Sequence, residues 1–354
     1  MNLDDLDYFR SIDTTNLLEA INTFPDQVAS AWALGQSSAL PEDYRSVRNI
    51  VLVGMGGSAI AGELVQTLAA SRYACTAPIM LLRNYVPPAF IGRETLVVGL
   101  SHSGNTEETA GACETALARG AKLLAITGGG RLAALAERGN APVWRLDENL
   151  HPRMAVGSLF MLALAALTKL GFVADQSAEV AEGVEALRAQ QNSLRAESPV
   201  TRNPAKRMAG QLMDRIGAVF AADYLVPVAR RWKMLLNESA KAWAVADELP
   251  EMDHHAVAGT MYPEALVSKF MVLFLRSARE HPRNRVRADL TRELYMTAGF
   301  NTDAIQAAGQ SPLAHILTTL HYGDYTAYYL AMCYGVDPGD VPQIRYLKEE
   351  LARR

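Results

Sequence analysis

The sequence predicts an α/β protein with parallel sheets and helices on both sheet faces. Three observations predict it. Strand-like runs at 49–53, 78–84, 95–100, 121–127 and 141–146 are mostly separated by helical patterns, the alternation of a covered parallel sheet. Two loops rich in glycine and hydroxyl residues stand where a strand hands over to a helix. The chain has 354 residues, 49% of them apolar, which is material for about two domains with cores of their own.

Taken in order, the first ~45 residues read as helical, with apolar faces in 16–21 and 28–34. The run 49–53 is continuously apolar and therefore reads as a buried strand. It leads into Gly54-Met55-Gly56-Gly57-Ser58-Ala59-Ile60-Ala61-Gly62, which opens a helix. Gly56 and Gly57 permit positive φ and close approach of a ligand to the backbone, and Ser58 adds a hydroxyl. Gly54, Gly56 and Ala59 also suit the looser dinucleotide fingerprint, so a dinucleotide fold is a competing reading of this loop. No acidic residue ends the second strand, 78–84, as that fold would want.

The third run, 95–100, leads into Ser101-His102-Ser103-Gly104-Asn105-Thr106-Glu107-Glu108, with a helix from near Thr106. A helix start offers N–H groups without intrahelical partners and the positive end of the dipole, and hydroxyls add donors. No lysine follows the glycine, so this is not the P-loop of nucleotide hydrolases. A hydroxyl cradle of this kind suits a small phosphate monoester. The plain alternative is a capped helix, with Asn105 as N-cap and Glu108 completing a capping box. In the common strand order 2-1-3-4-5 the ligand crevice lies between the first and third strands, so the two loops converge on one site.

Residues 190–203 read as a linker or exposed helix end. A second α/β unit follows, with strands at 216–222, 265–274 and 302–307 and helices at 283–298 and 325–334. A terminal helix over 342–354 has Leu347 and Leu351 on one face. The apolar run 156–167 is too short to span a bilayer and reads as a core or interface helix. The acidic start, Met1-Asn2-Leu3-Asp4-Asp5-Leu6, lacks a signal-peptide core. A net charge of −4 gives no field favouring nucleic acid. Cys75, Cys113 and Cys333 are scattered and odd in number, as fits reduced thiols and neither a disulfide framework nor a zinc site. The expectation is a cytoplasmic protein with no nucleic-acid or membrane partner.

The glycine loop at 54–62 and Ser-x-Ser-Gly-Asn-Thr-Glu-Glu at 101–108 resemble a sugar isomerase (SIS) domain. Further pieces resemble one branch, the bifunctional phosphoglucose/phosphomannose isomerase family. They are Pro152-Arg153 before an apolar helix, Asn237-Glu238-Ser239-Ala240-Lys241, Glu248-Leu249-Pro250-Glu251-Met252-Asp253-His254, and Leu347-Lys348. The resemblance runs from about residue 25 to the end. It implies two flavodoxin-like three-layer SIS subdomains, at 25–190 and 200–340, with a helix at 341–354 packing at the active site. It implies a homodimer with shared active sites, working on a sugar phosphate in glycolysis and gluconeogenesis. Gly56, Gly57, Ser58, Ser101, Ser103 and Thr106 would hold the phosphate. Glu238 would move the proton between C1 and C2, and Arg153 would hold the developing enediolate. His254, reaching in from a partner subunit, and Lys348 would open the sugar ring. No cofactor and no metal is expected.

The residue types suit the chemistry. One carboxylate can take and return the proton, Arg keeps its charge at every working pH, and His can act as acid or base near neutrality. Each also has a plain alternative. Glu238 can pair with Lys241 at i,i+3, Arg153 can cap a carbonyl, and Lys348 can belong to a solvated helix face. His254 and His255, with Glu251 and Asp253 nearby, make a poor metal set because adjacent side chains diverge. Two departures from the family stand out. His255 replaces the usual Asn, and no Ser or Thr occurs after Thr326, where a hydroxyl before the terminal Lys accompanies activity on the mannose epimer. The reading is an isomerase of glucose 6-phosphate, and more weakly mannose 6-phosphate, with fructose 6-phosphate. Its rivals are another SIS-type sugar-phosphate isomerase and a non-catalytic sugar-phosphate-binding regulator.

Overall fold

The computed structural model describes residues 2–354, which form two compact units. One unit comprises Thr23–Leu187 with Gly309–Leu317. The other comprises residues 2–22 with Arg188–Ala308 and Thr318–Arg354.

The first unit holds a parallel sheet of β1 (Asn49–Val53), β2 (Ile79–Leu82), β3 (Thr95–Ser101), β4 (Lys122–Thr127) and β5 (Val143–Arg145), in the order β2-β1-β3-β4-β5. This is the expected order. Side chains alternate across it, as strand geometry requires. Val51, Val53, Val97, Leu123 and Ala125 share a cluster with Cys113 and Leu132 of the helices Glu107–Ala118 and Gly130–Arg138. Leu52 and Leu100 instead face Gly62, in the helix Gly56–Ser71. Helix Ala155–Leu170 packs on that helix and on Phe24–Ser37. By length and composition Pro152–Leu170 is apolar enough to cross a bilayer, longer than the run 156–167 suggests. Its apolar window is 89% buried within the protein, as a core helix is.

The second unit holds β6 (Ile216–Ala222), β7 (Ala244–Leu249), β8 (Phe270–Arg276) and β9 (Asn301–Gln306), all parallel, in the order β7-β6-β8-β9. Ala218, Phe220 and Ala222 face Met252, Ala288 and Tyr295, under the turns after β7 and the helix Pro282–Thr297. Gly217 points the other way, toward Leu236 of the helix Val226–Glu238. β7 has no counterpart in the expected strands, because Ala-Val-Ala-Asp-Glu-Leu carries two adjacent acids and no large β-branched or aromatic run. The run expected at 265–274 divides into a short helix, Glu264–Val267, and β8.

The stretch 190–203, read as a linker or exposed helix end, is a helix end followed by an ordered corner. Helix Ser177–Leu194 takes its first residues. Asn203 is fully buried and caps the helix Pro204–Leu212, accepting from the backbone N–H of Ala205 (3.0 Å) and Lys206 (3.1 Å). Its amide donates to the Leu194 and Arg195 carbonyls. The Lys206 ammonium, buried beneath Phe9 and Tyr329, donates to Asp4 Oδ1 and to the carbonyls of Ala196 and Ser198. All three donors are satisfied, which is what makes a buried lysine tolerable.

Candidate active site

In the first unit both loops emerge from the carboxyl edge of one sheet. β1 and β3 are parallel neighbours in register, with Val53 beside Gly99. The loop after β1 turns straight into Gly56–Ser71, with Gly56 at φ +53°, a left-handed conformation that glycine adopts without strain. Met55 is the N-cap and makes no side-chain cap.

The loop after β3 is held by its own hydroxyls. Ser101 Oγ, buried, accepts from Gly104 N–H (3.1 Å) and lies 3.2 Å from Thr106 Oγ1. Ser103 Oγ accepts from Asn105 N–H (3.2 Å). Within the Ser101–Thr106 pair one hydroxyl donates to the other, so that pair keeps one proton for a ligand, and Ser103 keeps its own. Gly104 has φ +68°, and a Cβ there would lie 1.8 Å from the Gly129 carbonyl oxygen, so only glycine fits. The capping box of the plain alternative, Asn105 with Glu108, does not form. Thr106 is the N-cap of Glu107–Ala118 without a side-chain cap, and Asn105 Oδ1 accepts from Arg131 N–H (3.0 Å). On the rim, the Tyr85 hydroxyl donates to the Glu107 carboxylate. That hydrogen bond, more than any other influence, pushes the phenol up to about 12.

Arg153 belongs to the same unit. It lies in the turn Pro152–Met154, which opens the helix Ala155–Leu170, and is only 9% exposed. His151 Nδ1 accepts its backbone N–H (3.2 Å). His102, inside the hydroxyl loop, places Nε2 3.0 Å from the Leu150 carbonyl oxygen. The loop and the Arg153 segment are thereby tied. In the sequence only its place between two serines of the loop sets His102 apart.

In the second unit the expected groups stand on three separate elements. Glu238 is half-buried at the last position of Val226–Glu238. The Lys241 ammonium closes that helix end by donating to the carbonyls of Glu238 (2.8 Å), Ser239 (3.3 Å) and Asp337 (2.6 Å). Asn237 Nδ2 donates to Ala242 O (2.8 Å), so the motif's Asn and Lys shape the turn that carries the Glu. His254 and His255 are exposed, in and just after the turn Glu251–His254. Asp253 pins that turn, accepting from Arg287 Nη1 (3.0 Å) and Thr291 Oγ1 (2.8 Å). The helix of Glu238 covers one face of the four-stranded sheet, and the turn of His254 covers the other. Lys348 is exposed on Pro342–Ala352, a helix that buries none of its residues and leaves Leu347 59% and Leu351 60% exposed. Among the described residues, no three His, Cys, Asp or Glu side chains cluster as a metal site.

Residues 43–136 match the SIS domain family, and residues 201–351 match the family described as bacterial phospho-glucose isomerase C-terminal SIS domain. A bifunctional phosphoglucose/phosphomannose isomerase of Caldicellulosiruptor bescii is 32% identical over 337 residues, covering 95% of this chain and 99% of that protein. The chain belongs to the bifunctional phosphoglucose/phosphomannose isomerase family. It is therefore an isomerase built on SIS domains. A second bifunctional phosphoglucose/phosphomannose isomerase, from Aquifex aeolicus, is 32% identical, with 89% of this chain and 93% of the relative covered. The fold of the isomerase also resembles a solved hypothetical protein of Thermus thermophilus, at TM-score 0.72 and 18% identity, over 96% of this chain and 90% of the other.

Proposed function

We propose that this isomerase interconverts glucose 6-phosphate, and more weakly mannose 6-phosphate, with fructose 6-phosphate, without a metal. The observation that carries the reading is the pair of glycine–hydroxyl loops at the carboxyl edge of neighbouring parallel strands. Gly56, Gly57 and Ser58 offer backbone and hydroxyl donors from one helix start, and Ser101, Ser103 and Thr106 from the other. Two helix dipoles and several hydroxyls bind a phosphate dianion without lysine. Arg153, on a segment tied to one of these loops, holds the enediolate oxygens. Glu238 takes the C2 proton of the aldose and returns it to C1, a role worth roughly 10²–10⁴ in rate. Lys348 and His254 open the ring.

The separation of Glu238 and His254 to opposite faces of one sheet supports a site completed by His254 of a second copy, and so a homodimer. The substrate class and the free cysteines support a cytoplasmic place.

A coupled assay with glucose 6-phosphate and mannose 6-phosphate, with and without chelator, tests the function. Turnover that survives the chelator is expected. Loss of turnover on chelation would overturn the metal-free mechanism, and turnover of neither substrate would overturn the reading. The shared site is tested by mixing inactive Arg153→Ala and His254→Ala subunits. Heterodimers should regain activity, because one of their two sites then keeps both residues. Confirmed heterodimers without activity would return His254 to its own subunit or remove it from the site.

A further inference from the structure

We infer that His102 is a positioning residue that sets the spacing between the phosphate cradle and Arg153, and with it the length of sugar phosphate accepted. The inference rests on the function proposed above. His102 sits between Ser101 and Ser103, and its backbone carbonyl accepts from Gly128 N–H (3.0 Å). The loop position is thus anchored to the end of β4. Its ring crosses to the Leu150 carbonyl at 3.0 Å. A carbonyl only accepts, so Nε2 carries the proton.

The accepting carbonyl belongs to a built segment. Leu150 is buried and its N–H donates to Asp147 O (3.2 Å), while Asp147 Oδ1 accepts from Asn149 N–H (2.9 Å). The next residue, His151, caps the Arg153 backbone, and the helix Ala155–Leu170 begins directly. One imidazole hydrogen bond therefore links the group that binds the phosphate end to the segment that presents the guanidinium.

The phosphate sits on C6 and the enediolate on C1 and C2, so the two anchors must match the carbons between. One carbon more or less changes the reach by about one C–C bond, ~1.5 Å. A misplacement of about 1 Å at a reacting centre costs about a hundredfold in rate. A residue that fixes this spacing acts on turnover and on chain-length preference, and leaves phosphate binding alone.

The test compares His102→Phe, which keeps the ring volume without a donor, with His102→Gln, whose amide keeps a donor at similar reach. For His102→Phe we expect kcat on glucose 6-phosphate to fall about tenfold or more, with inhibition by inorganic phosphate within about twofold of wild type. The ratio of kcat/KM for glucose 6-phosphate to that for ribose 5-phosphate, one carbon shorter, should shrink by a similar factor. His102→Gln should recover most of the turnover, with a pH–rate profile that overlays the wild type. Unchanged kcat in a folded His102→Phe, a parallel loss of phosphate inhibition, or His102→Gln behaving like His102→Phe would each overturn the inference. Wild-type protein that turns over no aldose 6-phosphate would overturn the proposed function and this inference with it. An active wild type with an indifferent His102 overturns this inference alone.

Discussion

The two units place their polar groups by different rules. In the five-stranded unit the candidate site is local. Short loops follow neighbouring strands, their hydroxyls hold one another, and backbone geometry does most of the work. In the four-stranded unit Glu238, His254 and Lys348 stand on separate elements, and the helix carrying Lys348 is exposed throughout. That unit also keeps several ionisable groups inside its core: Lys206, His321 and the Arg231–Asp324 pair. A binding site for an anion can be assembled from consecutive residues of one edge. Acid–base groups must approach a carbon skeleton from different sides, and so they come from distant parts of the sequence.

The largest test of this division is Glu238→Gln. Turnover should fall by about a hundredfold or more, while inorganic phosphate binding stays within about threefold, as measured by turnover and competitive inhibition. Comparable losses in both would mean that Glu238 serves phosphate binding as well as proton transfer.

The buried groups of the four-stranded unit give the next largest effect. Burial, above all, holds the His321 imidazole down to about 4 from its ordinary 6.5. Below 6.5 the unfolded chain takes up a proton that the folded chain refuses, so this group lowers stability as pH falls from 6.5 toward 4, by up to ~3 kcal/mol. Asp324 works in the opposite sense. Burial pushes it up from 3.8 to about 6 in spite of Arg231, so its contribution is present below 3.8 and lost as pH rises toward 6. In urea melts between pH 4 and 6.5, His321→Gln should make stability decline with rising pH relative to wild type, and Asp324→Asn should make it increase. Equal slopes in the two variants would show that these groups do not titrate as their burial implies.

Specificity should move less. Glucose 6-phosphate and mannose 6-phosphate differ only at C2, and the approach to Lys348 offers Val341 and Pro342 where a hydroxyl is absent. We expect kcat/KM for mannose 6-phosphate to be lower by about tenfold, the size of one modest hydrogen-bond difference. Equal or higher efficiency on mannose 6-phosphate would point to another group, with His255 the first to examine. The smallest effect belongs to the phosphate cradle. Thr106→Val removes one of several donors and should weaken inorganic phosphate inhibition by roughly fivefold, about 1 kcal/mol, with kcat little changed. A fall in kcat that exceeds the loss of phosphate inhibition would give the loop a catalytic part.

By itself the sequence determined the parallel α/β architecture, because apolar runs of strand length alternating with helical patterns have few other ways to bury themselves. It also determined both glycine–hydroxyl loops, whose residues act within a few positions of one another. The family pieces pointed to Glu238, Arg153, His254 and Lys348, but their bare sequence contexts were those of ordinary surface residues. Tertiary structure alone decided what each neighbourhood does. It gave Asn105 to Arg131 in place of the alternative helix cap, revealed β7 where two adjacent acids mask a strand, and followed the helix end at 190–194 with a corner buttressed by Asn203 and Lys206. It also brought His102 to Leu150 across 48 residues of chain and set a sheet between Glu238 and His254. The physical reason is range. Propensity, capping and turn chemistry act over a few residues and can be read from them, whereas a hydrogen bond between distant segments exists only once the fold has brought both ends together.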